Sequence, residues 1–405
     1  KQLVLPKVDQ TATGHSLTVP VAIAAPDRCS RFTVQVISGI SITQSPDWIA
    51  RRLARAGMRS INNVVDVSNL VNLELNQPNH AYDFDSVKDG FNVRLAREGE
   101  QFTTLDAVER TLSGDDLLIC NAQDKPVGIA GIMGGLDSEV SDATTSIAVE
   151  IAYFEPDAVR ATSTRLALRT EASLRFERGV DPFGAEFAAA RFAELLRITC
   201  PNLVVHSGAT DARTDALPKQ ARTTEVRLNT IKRVLGIDVT AQALEDLIAP
   251  IGFTIAKSAT DGSVVVGIPS WRNDCTSEID IVEEVARHYG YDNLGKIVPT
   301  SPVHGRLSDV QRRRRILREI VVSLGASEAM PNPFLAPGDL AKVGLSEDNA
   351  LKLANPLVAE ESVLRTSLVP GMLKSIAYNQ SHRIRDISLF EIGHVYPQGT
   401  EVLPD

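Results

Sequence analysis

The stretch Trp271-Arg-Asn-Asp274-Cys-Thr-Ser277-Glu-Ile-Asp280-Ile-Val-Glu283-Glu284-Val-Ala-Arg287-His-Tyr-Gly290-Tyr291-Asp292 decides how this chain reads. It sets four carboxylates around the start of a predicted helix. Asp280, Glu283 and Glu284 stand at i, i+3 and i+4 and share one helical face, and Asp274 lies in the loop just before. The sequence places few cations close by, and like charges this near repel unless a cation or a partner's basic group fills the gap. A hard, oxygen-only set of this kind suits Mg²⁺. The same residues also admit a plainer role. Acids in a first turn complement the helix dipole, Ser277 can cap the helix, and Arg287 can pair with Glu283 at i+4.

Outward from this helix, Asn229 to Leu235 and Ala241 to Ala249 read as helices and Val264 to Ile268 as a strand. That helix–helix–strand–helix order over residues 223–298 fits a small winged-helix-like module. Pro201 to Arg222 is polar with scattered prolines, and reads as a connecting strand and linker. Pro299 to His304 reads as a second linker. Beyond it come a helix from Ser308 to Leu324 stopped by Gly325, a helix around Leu364 to Asn379, and a strand over Ile387 to Ile392. On the N-terminal side, Lys1 to about Pro26 reads as short strands and Phe32 to Ile37 as a longer one. Ser45 is placed as cap, Pro46 at the first helical position and Gly57 as stop of a helix ending at Ala56. Residues 27–200 then mix strands, helices and Gly-bounded loops. The expected fold class is α+β and multidomain.

Composition sets bounds. At 405 residues, with 43% hydrophobic and 23% charged residues, the chain has the make-up of two to four ordinary globular domains. No apolar run approaches a membrane span. The formal charge of −9 argues against a nucleic-acid-binding surface covering the whole chain, though not against a local basic patch. Four widely spaced cysteines fit buried, reduced thiols in a cytoplasmic protein. The opening Lys and the end at Asp405 suggest an interrupted chain.

The string from Pro269-Ser270-Trp271-Arg272 to Asp292 closely resembles the B5 domain of the bacterial phenylalanine–tRNA ligase beta subunit. Two further sets of motifs resemble the B3/B4 editing domain of the same subunit. One runs Arg59-Ser-Ile-Asn62-Asn63 to Asn69, then Gln77-Pro78-Asn79-His80-Ala81-Tyr82-Asp83. The other runs Gly128 to Gly135, then Glu150, then Arg169-Thr170-Glu171-Ala172-Ser173 to Pro182. Leu353 to Pro356, Leu364 to Leu373 and Leu389 to Tyr396 are similar to its inactive, class II-like core. The resemblance implies the end of an N-terminal strand-rich region at 1–26, an editing domain at 27–200, a linker at 201–222, a B5 domain at 223–298 and a partial class II-like domain at 299–405. It also implies a Mg²⁺ ion held by Asp274, Asp280, Glu283 and Glu284 and shared with the alpha subunit. ATP would be bound by that alpha subunit in an alpha2beta2 assembly with tRNA(Phe), with neither membrane nor DNA involved.

The implied chemistry is hydrolysis of tyrosine wrongly attached to tRNA(Phe). A hydrophobic synthetic site rejects an added hydroxyl only about a hundredfold, whereas a second site with a buried acceptor for the phenol can invert that preference. By resemblance Glu150 recognises the hydroxyl, Thr170 and Ala172 shape the pocket, Gly134 lines it, and His80 stands near the scissile ester. Glu150 also lies where Ile147-Ala-Val-Glu150-Ile alternates into a core, an odd place for an anion. No Ser–His–Asp or Cys–His arrangement is visible, so water is the expected nucleophile. Plainer roles exist for each residue. His80 can be a loop residue satisfied by backbone, and Glu150 can pair with Arg165 or Arg169. Gly134-Gly135 can be a tight turn, and Asn62-Asn63 can hold a loop. The four arginines Arg312 to Arg315 face all sides of their helix and read as mostly solvated. A competing class is a non-catalytic tRNA-binding scaffold that keeps the fold without the chemistry.

Overall fold

A computed structural model describes residues 6–9, 11–136, 139–219, 222–258, 262–296 and 305–399. Pro299 to His304, read above as a linker, lies outside them. The chain forms two compact units, residues 1–296 and 297–405.

The first unit begins with β1 (Gly14–Ser16), β2 (Val21–Ile23) and the long β3 (Cys29–Ser38). Helix α1 (Asp47–Arg55) follows, with Pro46 itself at the cap and Asp47 as first helical residue, one position later than expected. The Ser45 hydroxyl caps nothing and is buried without a partner. Helix α2 (Asn63–Leu75) is capped by Asn62, whose side chain accepts from the Val65 N–H at 2.9 Å. Then come β4 (His80–Asp83), the single turn α3 (Phe84–Val87), β5 (Phe91–Leu95), β6 (Gln101–Thr103), β7 (Glu109–Thr111), β8 (Leu117–Asn121), β9 (Pro126–Ile129) and β10 (Met133–Gly134). After them run β11 (Ser146–Phe154), α4 (Pro156–Arg165), α5 (Glu171–Phe176), α6 (Ala185–Leu196), β12 (Val204–Ser207) and β13 (Thr210–Arg213).

Two sheets organise these elements. One has the order β1-β12-β3-β11-β4 with β13 also paired to β3; the other has the order β10-β9-β8-β5-β2. The alternation of β11 separates its two faces. Ile147, Val149 and Ile151 join a core built with α1, α2 and α6, while Ala148, Ala152 and Phe154 join a second core shared with the other sheet. Glu150 points to that second side.

Two expectations shift here. The strands of residues 1–26 are integral to the sheets, β1 pairing β12 and β2 pairing β5. The segment read as linker is half sheet, because β12 and β13 both lie on β3. Both are only four residues long, and β13 (Thr-Asp-Ala-Arg) buries none of its side chains fully, so neither stands out as a strand. Arg31, buried on β3, fastens β13 and α6 by pairing with Asp211 at 2.9 Å and with Glu186.

The same unit continues through β14 (Arg222–Arg227), α7 (Leu228–Leu235), α8 (Ala241–Ile248), β15 (Thr254–Ser258), β16 (Ser263–Ile268) and α9 (Glu278–Tyr289). The three strands form a sheet in the order β14-β16-β15 over a core of Val226, Ile231, Leu244, Phe253, Val266 and Val285. The order expected from sequence holds, with two strands added. β14 reads Arg-Thr-Thr-Glu-Val-Arg and buries only Val226, which is too little apolar signal to find it.

The second unit holds α10 (Asp309–Ser323), β17 (Ser327–Glu328), β18 (Phe334–Leu335), β19 (Val363–Leu364), α11 (Val369–Ser381) and β20 (Leu389–Phe390). Ser308 caps α10 and Gln311 reciprocates. Of the arginine run, Arg314 is half-buried and donates to the Ile392 carbonyl at 2.6 Å, while Arg312, Arg313 and Arg315 are exposed. The core here is small, and polar pairs supplement it. Arg365 and Glu391 form a buried ion pair at 2.6 Å, and Asp339 is clasped by Lys342 and Lys374. No helix of the described residues is long and apolar enough to cross a membrane.

Candidate functional site

Between the two sheets lies a cavity of about 70 Å³ lined by residues from β4, β8, the β9–β10 hairpin, β11 and α5. Its polar equipment comes from paired strands. Glu150 of β11 stands directly opposite His80 of β4 in the antiparallel ladder, and Tyr82 lies two residues further along the same face. Directly opposed side chains on one face of a sheet are about 5 Å apart at Cβ, so the register alone brings His80 and Glu150 together.

Glu150 is 5% exposed and has no hydrogen-bond or ion-pair partner among the described residues. Burial alone pushes its carboxyl up to about 8, so it is chiefly neutral at pH 7. The sequence pointed to an anion there, but desolvation outweighs ionisation because no cation lies against it. Both cations considered as partners are engaged elsewhere: Arg165 pairs with Asp116, and Arg169 approaches Glu177 at 3.9 Å. A protonated carboxyl keeps one O–H donor and one carbonyl acceptor.

His80 is half-buried in the cavity wall, and its Nε2 is buried without a partner. Burial pulls the imidazole down to about 4, leaving it neutral at pH 7. Gly134 meets it edge-on. A Cβ at Gly134 would lie 2.9 Å from His80 Cε1 and 3.0 Å from Nε2, so any side chain there must displace the imidazole. The glycines therefore do more than turn the chain, although Gly131, at φ +69°, does turn it between β9 and β10.

Ala172 lines the cavity and Thr170 does not. Thr170 instead caps α5: its hydroxyl accepts from the Ser173 N–H at 3.1 Å and donates to the Ile132 carbonyl at 2.8 Å. It thereby ties the helix that carries Ala172 and Phe176 to the glycine hairpin on the cavity's other wall. None of the lining residues is Ser, Thr or Cys. The apolar walls, Met133, Phe154 and Phe176 among them, carried no sequence signal beyond their hydrophobicity.

The acidic helix presents a different picture. Arg272 donates through Nε to Asp274 at 2.8 Å and through Nη2 to Glu284 at 2.6 Å. Arg287 reaches Glu284 at 2.6 Å, rather than Glu283 as the spacing had suggested. Burial works against the Glu284 carboxylate, but these two guanidinium groups outweigh it and hold it below the usual range. Asp280 accepts from the Thr276 and Ser277 N–H groups and from the Ser277 hydroxyl, each at 2.8 Å, which completes the helix cap. Glu283 is exposed. The ligand atoms that do converge belong to Asp274, Cys275 and Glu284, all within 4.8 Å. A thiol and an intervening guanidinium do not fit Mg²⁺, which demands oxygens. As placed, the four acids fit an ion-pair and capping network. The shortage of local cations read from the sequence is made good by Arg272, which sits twelve positions from Glu284. Asn273, in the same loop, donates to the Val180 carbonyl at 2.9 Å, just past α5.

Three family models match the chain: a B3/4 domain over residues 28–201, a tRNA synthetase B5 domain over 224–291, and a phenylalanyl tRNA synthetase beta chain CLM domain over 294–405. The chain is 40% identical over 404 residues to the phenylalanine–tRNA ligase beta subunit of Geobacter sulfurreducens, an alignment covering 98% of this chain and 50% of that one. Almost the chain's whole length is similar to phenylalanine–tRNA ligase beta subunits. The beta subunit from Anaeromyxobacter dehalogenans is 41% identical over 388 residues, covering 93% of this chain and 47% of its own length. The chain thus spans about half the length of the curated relatives it matches. A crystal structure of an N-terminal fragment of the phenylalanyl-tRNA synthetase beta subunit from Pyrococcus horikoshii aligns at 15% identity with a TM-score of 0.35, covering 71% of this chain and 78% of that one, and carries no weight for the fold.

Proposed function

We propose that this chain supplies the editing site of a phenylalanine–tRNA ligase, hydrolysing the ester of tyrosine wrongly attached to tRNA(Phe). The observation that carries this reading is the set of unpaired polar groups in one small cavity. Buried polar groups are nearly always satisfied, and Glu150 and His80 Nε2 are not. A phenol at the cavity's end would answer both halves of a neutral Glu150, donating to its carbonyl and accepting from its O–H. Phenylalanine would leave both unpaired, at a cost of about 1–3 kcal/mol.

The reaction adds water across the ester, releasing tyrosine and the tRNA hydroxyl. With no Ser, Thr or Cys in the lining, water attacks directly. Neutral His80 is too weak a base to carry the proton away and instead orients the water or the ester by hydrogen bonding. Gly134 leaves room for the His80 ring against the hairpin, Ala172 keeps the entrance open, and Thr170 acts through the helix it caps. Domain divisions near residues 27–200, 223–298 and 299–405 accord with this reading, the last as part of a class II-like core without synthetic residues.

Within the whole enzyme we place the chain in the cytoplasm beside an alpha subunit, in an alpha2beta2 assembly that acts on tRNA(Phe). ATP and Mg²⁺ serve aminoacylation there, with ATP on the alpha subunit. The test is deacylation of tyrosyl-tRNA(Phe) by the assembled ligase. The wild type is expected to hydrolyse it, and Glu150→Ala and Ala172→Trp are expected to slow hydrolysis at least tenfold while aminoacylation persists. Absence of hydrolysis by the wild type would leave a tRNA-binding scaffold as the better reading.

A further inference from the structure

Two more polar side chains line the cavity: Asn79, whose Nδ2 donates to the Ser68 and Gln77 carbonyls while its Oδ1 is buried without a partner, and Tyr82. Tyr82 is 1% exposed and lines the cavity, yet its hydroxyl has no hydrogen-bond partner among the described residues. A buried tyrosine hydroxyl ordinarily finds one. Strand β4 places Tyr82 on the same face as His80, opposite Ala148 and diagonal to Glu150. The hydroxyl abuts the glycine hairpin: a Cβ at Gly128 would lie 3.4 Å from Tyr82 Oη and 3.5 Å from the Gly134 Cα. The Tyr82 ring meets the His80 imidazole edge-to-face, centroids 4.4 Å apart at 67°.

We propose that Tyr82 is a specificity-determining residue of the pocket, its hydroxyl forming a second hydrogen bond to the ring hydroxyl of the misattached amino acid while its ring holds His80 in orientation. This rests on the editing reading above. Two polar groups converging on one point discriminate better than one, because phenylalanine must then leave both without a partner. Burial, with Glu150 nearby, raises the Tyr82 hydroxyl well above its ordinary pKa, so it remains a neutral donor at every working pH. The role divides between two atoms sets that substitution can separate. Tyr82→Phe removes only the hydroxyl and keeps the ring against His80. Tyr82→Leu removes both.

The experiment uses the assembled ligase and follows deacylation of tRNA(Phe) charged with tyrosine or with phenylalanine. Tyr82→Phe is expected to raise KM for the tyrosyl substrate about three- to tenfold with kcat within about twofold, the value of one neutral hydrogen bond. It should leave slow phenylalanyl hydrolysis unchanged and weaken binding of free tyrosine, measured by calorimetry, by the same factor. Tyr82→Leu should in addition lower kcat, because His80 loses its edge-to-face partner. Should Tyr82→Leu fail to fold, Tyr82→Phe decides alone. Unchanged KM and tyrosine affinity in Tyr82→Phe, alongside a raised KM in Glu150→Ala, would overturn the role of Tyr82 and leave editing intact. A wild-type enzyme that does not deacylate tyrosyl-tRNA overturns both.

Discussion

Replacing Glu150 by Gln tests the protonation state on which the proposed recognition depends. The folded chain holds this carboxyl at about 8 against an ordinary 4.5, so between those values it keeps a proton that the unfolded chain has released. Folding therefore takes up a proton, and stability falls as pH rises from about 4.5 to about 8, then levels. At 1.36 kcal/mol per tenfold change in proton affinity, the loss reaches about 3 kcal/mol at pH 7 and approaches about 5 kcal/mol above pH 8. Glutamine is isosteric, keeps a donor and an acceptor, and does not titrate. Thermal midpoints of the two proteins should nearly coincide at pH 4.5 and diverge steadily to pH 8, with the glutamine variant the more stable. Other titrations cancel in the difference. Deacylation provides the second arm. A neutral Glu150 predicts that glutamine holds KM for tyrosyl-tRNA within about threefold, whereas alanine raises it more than tenfold. Parallel midpoints across the pH range, or a glutamine variant as impaired as the alanine one, would refute the neutral-acid reasoning.

Gly134→Ala sets a methyl about 3 Å from the His80 ring. It should cut editing kcat at least tenfold and leave aminoacylation by the assembled ligase unchanged; equal losses in both activities would point to misfolding instead. Arg272→Ala leaves the buried Glu284 with Arg287 and His288 alone, and should destabilise the first unit by about 1–3 kcal/mol, read as a lower thermal midpoint. An unaltered midpoint would mean that the guanidinium contributes nothing to holding the acidic loop. Adding Mg²⁺ to the unsubstituted chain should not raise its midpoint, because Arg272 already neutralises Asp274 and Glu284; a rise of several degrees would show that the acids take the metal.

Much of the site was legible because its signals are local. The alternation around Glu150 placed that side chain inside the protein, and the helix opening at Ser308 was read because capping chemistry acts over three residues; Asn62, read only as holding a loop, caps a helix that was not foreseen. Non-local facts were not. Arg272 reaches Glu284 across a loop and a helical turn, so counting nearby cations missed the pair. The short strands β12 and β13 carry too few apolar residues to stand out from a linker. Thr170 sits in the pocket motif, yet its bonds go to a helix terminus and to Ile132, which motif order cannot separate from direct contact. The charge state of Glu150 depends on what lies around it in three dimensions, and its own sequence neighbours say nothing of that.

Strand β11 is hydrogen-bonded to β3 along its whole length and to β4 around Glu150. A slip of one residue would swap Glu150 with a neighbour and turn the carboxyl toward the helices. Ladders on both flanks oppose that slip, so the proposed discriminating group stands on a strand held from both sides. Selection between two amino acids that differ by one oxygen then needs no closing lid. The pocket is ready before its guest arrives, and its accuracy should change little with temperature until the sheet itself gives way.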